Sequence, residues 1–285
     1  MEKTRLINLS GRLFDMSRPL VMGVINVTDD SFYHASRHLK PVDAVDTAVR
    51  FLSEGADIID IGGCSTRPGS AGVTEEEERA RIMPVLREIR RELPEAVISL
   101  DTYRSSIALE AVEASGIDII NDISGGTMDQ NMFPTVAKLR IPYVMMHIRG
   151  TPENMQADTV YEDVVSDIVS WLGTRVAILL GEGVRDIIVD PGIGFGKNVS
   201  QNFEILSRLQ DFKIIGLPIM VGVSRKSLIW RTLETEPSDA LNGTTALNMA
   251  ALMNGADILR VHDVREAVQT VKLFEKMRQS APVQE

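Results

Sequence analysis

The sequence predicts an α/β protein built as a (β/α)8 TIM barrel with a short N-terminal β-hairpin. Three observations carry that prediction. Short apolar runs alternate eight times with helical stretches between residues 20 and 277, and parallel strands joined by helical crossovers produce such alternation. Each of the eight runs ends in a polar residue that leads into a loop. A glycine followed closely by Asp-Ile-Ile or Asp-Ile-Leu also recurs, at Gly55/Asp57, Gly116/Asp118, Gly183/Asp186 and Gly255/Asp257. The aspartates lie 61, 68 and 71 residues apart, two βα units each time, so the repeats mark the even strands. Matching ends on four alternate strands agree with the layered interior of a closed barrel and favour it over the rival, a doubly wound open sheet.

Residues 5 to 15 alternate loosely around Ser10-Gly11, and residues 1–18 read as a hairpin plugging one end of a larger body. LVMGVIN, Leu20 to Asn26, is a continuous apolar run suited to a strand buried on both faces. A polar loop reaches Lys40; Pro41 then opens an amphipathic helix to about Glu54, closed by Gly55. The strand Asp57 to Ile61 runs into GGCSTRPGS, a loop too rich in Gly and Pro to be regular. Thr74 with Glu77 makes a capping box for a helix to about Leu93. The alternation continues through strand Val97 to Asp101, helix Ser105 to Ser115, strand Asp118 to Asp122, helix Asn131 to Leu139 and strand Pro142 to His147.

A longer helix, Tyr161 to Glu182, precedes DIIVDPGIGFGK, Asp186 to Lys197. Here a strand ends in a carboxylate, Asp190, and passes at once into a Pro-Gly turn. A carboxylate at the end of a buried strand is costly unless something donates to it, and Gly192, Gly194 and Gly196 let backbone come close to whatever does. Helix Gln201 to Leu209, strand Leu217 to Ser224, helix Ser238 to Asn254, strand Asp257 to His262 and a helix from Val264 to about Met277 complete eight strands and eight helices. Nothing marks an internal boundary, so residues 1–285 read as one domain with a frayed tail over 278–285.

Bulk properties narrow the function. With 44% hydrophobic and 25% charged residues and a mean hydropathy near zero, the chain has the make-up of a packed protein. A net charge of −10 argues against nucleic acid as a partner, while leaving room for a local cationic pocket. The single cysteine, Cys64, rules out a disulfide framework and suits a reducing, cytoplasmic setting. The first residues lack an export core, and no run of 18 apolar residues occurs, so no membrane partner is expected.

In barrels of this kind the chemistry sits at the C-terminal ends of the strands. The strand-closing residues are Asn26, Asp60, Asp101, Asn121, His147, Asp190, the Ser224-Arg225-Lys226 turn, and Arg260 with His262. Polar ends on all eight strands point to a rim lining one wet pocket. Asp101, Asn121 and Asp190 offer acceptors and donors suited to a flat heterocycle with amino and imino hydrogens. Arg67, Lys226, Arg260 and His262 offer cations from separate loops, suited to an oxyanion such as a phosphate. Other motifs drop out. GIGFGKN has the wrong spacing for a Walker loop and the wrong place for a dinucleotide fingerprint. His34 and His38 have no partner at zinc-ligand spacing. Met145-Met146 reads as core packing with one of the pair facing the mouth, and Cys64 as an ordinary small residue.

Several strings together resemble, in order and spacing, the motifs of the dihydropteroate synthase family. They are MGVINVTDDSF, GADIIDIGGCSTRPG, SLDTYR, DIINDISGG, MMHIRGTPENMQ, IIVDPGIGFGK, VGVSRKS and GADILRVHDV, spanning about Val21 to Glu266. The resemblance implies a barrel enzyme of folate biosynthesis, one that condenses 6-hydroxymethyl-7,8-dihydropterin pyrophosphate with 4-aminobenzoate and releases pyrophosphate. By motif, it places Asp101, Asn121, Asp190 and Lys226 on the pterin, with Met145 and Phe195 on the ring faces. Arg260, His262, Thr66 and Asn26 fall on the pyrophosphate side, Asn26 through a Mg2+ cofactor, and Thr66, Arg67 and Ser227 fall on the aminobenzoate side. Asp101, Lys226, Arg260 and His262 carry the catalytic roles, and the loops Thr28 to Lys40 and Gly62 to Gly72 are lids. The resemblance also implies a homodimer formed by late helices, for which Ala246 to Met253 supplies a small-residue and methionine face. Two positions depart from the family pattern: Asp29 replaces a proline and Cys64 an acid, and both bear on loop closure and aminobenzoate affinity. The rivals are a barrel methyltransferase moving a methyl group from a folate to a corrinoid protein, and a non-catalytic pterin-binding paralogue.

Overall fold

The computed structural model describes residues 6–9, 11–27, 41–64, 72–157 and 159–280. Eight parallel strands form one sheet: β3 (Leu20–Asn26), β4 (Ile58–Gly62), β5 (Ile98–Asp101), β6 (Ile119–Asp122), β7 (Tyr143–Met146), β8 (Ile187–Asp190), β9 (Met220–Val221) and β10 (Ile258–Val261). The sheet order is β8-β7-β6-β5-β4-β3-β10-β9. A parallel bridge between Val189 and Ile219 joins its two ends, with the Val189 N–H donating to Pro218 O at 2.9 Å, so the barrel closes. β9 is shorter than the expected Leu217 to Ser224 at both ends; at its start Pro218 has no N–H for the ladder.

The helices surround this sheet as α1 (Pro41–Glu54), α2 (Glu75–Glu92), α3 (Ser105–Ser115), α4 (Met132–Leu139), α5 (Val164–Gly181), α6 (Val199–Ser207), α7 (Ser227–Thr232), α8 (Leu241–Met253) and α9 (Val264–Ser280). The Thr74/Glu77 capping box forms as expected on α2. Starts of two others differ because a side chain caps the backbone elsewhere. Asp163 accepts from the N–H groups of Val165 and Ser166 and starts α5 three residues late, whereas Asn198 with Gln201 forms a capping box that starts α6 two residues early. α7 is a ninth helix among the described residues, and a 3-10 turn at Pro237–Asp239 takes up the first part of the helix expected from Ser238. At the other end α9 runs through 278–280, with Ser280 Oγ donating to Lys276 O, so these three residues of the expected tail are helical; 281–285 lie outside the described residues. α5 is the described helix long and apolar enough by composition to cross a bilayer, at mean hydropathy 1.5; here it packs Ile168, Leu172 and Leu179 onto the sheet.

Residues alternate in and out along each strand. Ile59, Ile120, Val189 and Leu259 point outward into the layer between sheet and helices. Ile58, Ile119, Ile188 and Ile258 point inward and meet Met22, Val144 and Met220. The hairpin of β1 (Leu6–Leu9) and β2 (Arg12–Asp15) packs Ile7 and Leu9 against this same inner cluster, so it plugs the N-terminal end of the barrel.

The repeated aspartates work at that lower end. Asp57 accepts from the Val21 N–H at 2.9 Å, Asp118 from the Ile98 N–H at 2.9 Å and Asp257 from the Ile219 N–H at 2.8 Å. Each thereby ties the start of an even strand to the strand before it. Asp186 differs: it stands two residues, not one, before the inward isoleucine of its strand, and its carboxylate accepts instead from the Asn8 N–H of the hairpin. The sequence repeat is thus a device of stability at the closed end.

Candidate functional site

Two residues above the inward isoleucines the interior turns polar. The inward positions are Asp60, Asn121, Asp190 and Arg260, one from each even strand, forming a single barrel layer of four. Arg260 donates through Nε to Asp60 Oδ2 at 2.7 Å and through a terminal nitrogen to Asp101 Oδ2 at 2.5 Å. Asn121 donates to Asp60 Oδ2 at 3.2 Å from the other side. Asp60 is fully buried, and Asp101, Asn121 and Asp190 are nearly so. Burial pushes the Asp101 pKa up to about 7 against the pull of Arg260, with the Asp60 charge adding to the rise. Burial acts to lower the Arg260 pKa, but Asp60 and Asp101 outweigh it and hold the guanidinium above its ordinary value.

Asp190 begins the glycine loop. Its Oδ1 accepts from the Gly192 N–H at 2.7 Å, while burial raises its pKa against Lys226, that N–H and Arg260. Gly192 has φ of 70°, and a Cβ there would lie 1.9 Å from His147 O, so only glycine fits. The turn brings Phe195 back to the mouth, where Lys226 Nζ lies 4.5 Å above its ring centre while donating to Ile193 O. Burial draws the Lys226 pKa down to about 8, and Asp190 opposes that shift. On the neighbouring strand end His262 is exposed, its Nδ1 lying 3.1 Å from Ser224 Oγ. Desolvation, then the Arg260 charge, lowers its pKa to about 4, a shift that water around the exposed ring reduces.

The rim expected from the sequence therefore converges on one mouth, with three corrections. Met145 is fully buried in the layer between sheet and helices, and Met146 instead faces Phe195, Ile123 and Ile148, because strand alternation with inward Val144 sends 146 inward. His147 does not close the rim: it turns away against Trp171, ring centres 5.0 Å apart, with Nδ1 facing Lys197 Nζ at 3.0 Å. Burial, then the Lys197 charge, lowers its pKa to about 2. The cation set is also reshaped, since Arg260 is engaged by two carboxylates and is not a loop charge waiting for an anion.

Asn26 ends β3 at an inward, half-buried position, and Ser227 opens α7 beside Lys226. Thr66 and Arg67, like Asp29, His34 and His38, lie outside the described residues. Among the described residues no three His, Cys, Asp or Glu side chains converge as a metal cage. Cys64 sits behind the mouth, its thiol donating to Glu78 Oε2 at 3.1 Å. Glu78 also accepts from Thr102 Oγ1 at 2.6 Å and from Arg104, and burial followed by the Glu78 charge pushes the thiol up to about 12. Sequence reasoning left Asp60 and Lys197 without roles. Asp60 was visible as the partner of Asn121 and Arg260 in the repeat, but the burial of Lys197 has no sequence signal. Two clefts lie outside the polar layer. One of about 610 Å³ between hairpin and α9 is lined by Arg18, Asp57, Glu275 and Arg278, and one of about 440 Å³ is lined by Arg149, Tyr161 and Trp171.

Comparison with known proteins gives a consistent result. The family model described as pterin binding enzyme matches residues 22–262. The chain is 40% identical over 267 residues to the dihydropteroate synthase of Escherichia coli strain K12, covering 93% of this chain and 94% of that protein. To the dihydropteroate synthase of Bacillus subtilis strain 168 it is 40% identical over 262 residues, covering 91% and 89%. Among solved structures it is similar to the Yersinia pestis dihydropteroate synthase in complex with a sulfonamide drug, at TM-score 0.92 and 37% identity over 97% of this chain and 100% of that one. The Xanthomonas albilineans dihydropteroate synthase with 4-aminobenzoic acid gives TM-score 0.89 and 34% identity over 98% and 100%.

Proposed function

The chain belongs to the dihydropteroate synthases within the pterin-binding enzymes, and from that premise we propose how its polar ring transfers a pterinylmethyl group. It condenses 6-hydroxymethyl-7,8-dihydropterin pyrophosphate with 4-aminobenzoate, giving 7,8-dihydropteroate and pyrophosphate in folate biosynthesis. The observation that carries the reading is the barrel layer itself: Asp60, Asn121, Asp190 and Arg260 in one plane, with Asp101, Lys226 and His262 at its edge.

Asp190 and Asn121 face the pterin's amino and imino edge, and Phe195 with Met146 forms the apolar wall for its ring. Such an edge presents N–H donors to Asp190, and a buried carboxylate gains most from donors that replace water. Lys226, already seated over Phe195, donates to the pterin's carbonyl and ring nitrogen side. Loss of pyrophosphate leaves a cation delocalised into the ring, so no protein nucleophile is required. Asp101, in its ionised form, lies where it lowers the energy of that positive charge, and Arg260 holds Asp101 in place. His262 and the outer edge of Arg260 donate to the leaving anion.

Asn26 offers one neutral hard oxygen at the mouth. That donor fits Mg2+, which keeps several waters and takes substrate phosphate oxygens, better than it fits a metal needing a protein cage. When bound, the ion supplies charge neutralisation at the leaving group. The family motifs assign the 4-aminobenzoate carboxylate to Ser227 together with Thr66 and Arg67, the last two outside the described residues. Ala246, Met249, Ala250 and Met253 form a stripe on α8, the first and last of them exposed, and a second copy of the chain covers it as a homodimer. The reducing setting implied by the lone thiol makes the enzyme cytoplasmic.

The test is pyrophosphate release followed by a coupled assay. Release that requires both substrates is the expected result. Sustained turnover that does not depend on 4-aminobenzoate and forms no dihydropteroate, or methyl transfer from a folate to a corrinoid protein, overturns the reading.

A further inference from the structure

Lys197 is 2% exposed, closes the glycine loop and takes no part in the chemistry above. Its Nζ lies 2.8 Å from Phe195 O, 2.9 Å from Gly192 O, 3.4 Å from His147 O and 3.0 Å from His147 Nδ1. Burial drives the Lys197 pKa well below the ordinary lysine value, with the Asp190 charge opposing that shift. The acceptors count the other way: three carbonyls surround the nitrogen, an ammonium group has a hydrogen for each, and a neutral amine has only two. With the nitrogen protonated, Nδ1 of His147 accepts and the imidazole carries its hydrogen on Nε2.

The loop needs such a tie. Gly192, Gly194 and Gly196 have φ of 70°, 85° and 64°, so half of the short span between Asp190 and Lys197 is the residue with the most backbone freedom. Its other anchors are side chains as well: Asn202 Oδ1 accepts from the Gly194 N–H at 2.6 Å, and Tyr161 Oη donates to Gly196 O at 3.0 Å. Lys197 gathers the carbonyls on either side of Ile193, the residue whose own carbonyl receives Lys226. Its charge adds to those of Lys226 and Arg260 in opposing the cost of burying the Asp190 carboxylate.

We propose that Lys197 is a positioning residue for pterin recognition: its buried ammonium, held by Phe195, Gly192 and His147, sets the loop so that Asp190, Phe195 and the Ile193 carbonyl meet the ring together. The proposal rests on the reading of the mouth as the pterin site. Lys197→Met keeps the length and apolar stem of the side chain and removes the charge and the donors.

The expected result is a rise of tenfold or more in KM for the pterin pyrophosphate, with KM for 4-aminobenzoate at saturating pterin within twofold of wild type. A residue that only supports the fold would lower the melting temperature and the active fraction, hence apparent kcat, and leave both KM values alone. An unchanged pterin KM in Lys197→Met, whatever its melting temperature, overturns the proposal. If the variant does not fold, NMR of the wild-type enzyme carrying ε-15N lysine decides. A slowly exchanging ammonium signal that shifts when pterin is added supports the assignment; a neutral amine, or a signal indifferent to bound pterin, overturns it. Failure of the wild-type enzyme itself to bind pterin would instead remove the reading of the mouth, so the two failures are distinguishable.

Discussion

Arg260 and Asp101 are 159 residues apart in the chain and 2.5 Å apart across the barrel mouth. The same guanidinium holds Asp60, which has no exposure at all, so one cation serves two carboxylates in a place where water cannot replace it. Removing one partner of a buried ion pair costs about 3–5 kcal/mol, because the other charge stays behind. Arg260→Ala is expected to lower kcat/KM by about a hundredfold or more and to reduce stability by a few kcal/mol. Steady-state pyrophosphate release and urea unfolding measure the two effects separately. A variant with near wild-type turnover would show that the pair is only structural.

The pH–rate profile is expected to be bell-shaped. Asp101, raised to about 7 by burial, must be ionised to favour a positive charge, so kcat/KM falls below that pH; Lys226, lowered to about 8 by burial, must keep its proton, so activity falls above it. Stability has its own signs. The folded protein binds a proton at Asp101 that the unfolded chain has already lost, so this group's contribution is greatest at low pH and declines as pH rises toward 7. For Lys226 the unfolded chain holds the proton longer, so its contribution improves as pH rises past 8 toward the ordinary lysine value. Asp101→Asn should abolish the acid limb; its survival there would assign the limb to another group.

Cys64 should be chemically quiet. A thiol pushed up to about 12 and donating to Glu78 has almost no thiolate at pH 8, and the thiolate is the reactive form. Labelling of the native enzyme by a disulfide reagent at pH 8 is expected to be at least about tenfold slower than labelling of the unfolded chain. Cys64→Ala is expected to keep turnover within about twofold, since the Glu78–Arg104 pair survives without it. A loss comparable to that of Arg260→Ala would show that the loop depends on this thiol.

The repeated aspartates predict a graded series. Asp57 accepts from the Val21 N–H and from Arg18, whereas Asp186 accepts from the Asn8 N–H of the hairpin. Asp57→Ala should destabilise by about 2–3 kcal/mol, the scale of lost charged hydrogen bonds at a barrel strand, and Asp186→Ala by about 1 kcal/mol. Neither should change kcat by more than about twofold, because both sit at the closed end. Chemical denaturation with parallel assays ranks them; equal losses would mean that the hairpin is as firmly bound as the strands.

Met253 is 63% exposed at the end of the α8 stripe. Met253→Lys is expected to shift a dimer toward monomer at micromolar concentration, read by sedimentation velocity, since a charge buried without a partner opposes association. A wild-type chain that sediments as a monomer would refute the homodimer.

Much of the site could be read from the repeat. The pattern of Asp, two apolar residues, then a polar one puts Asp60, Asn121 and Arg260 on the same side of three strands by alternation alone. The one-residue offset of Asp186 is also visible in the sequence; what it does to the carboxylate's partner is not, because the hairpin that receives it is remote in sequence. Met145 against Met146 shows the limit. Two identical neighbours differ only in which face they take, and that follows from the register of β7 between β6 and β8.

By itself the sequence determined the eight-fold alternation of strands and helices, the polar strand ends and the family motifs, because each depends on residues close together in the chain. The tertiary structure decided which polar ends meet and in what state. Arg260 is neutralised by Asp60 and Asp101, His147 is turned away from the mouth, and Lys197 is sealed under the glycine loop. Those outcomes depend on distances between strands far apart in sequence and on exclusion of water, and a carboxylate or an amine acquires its charge preference only once both are set.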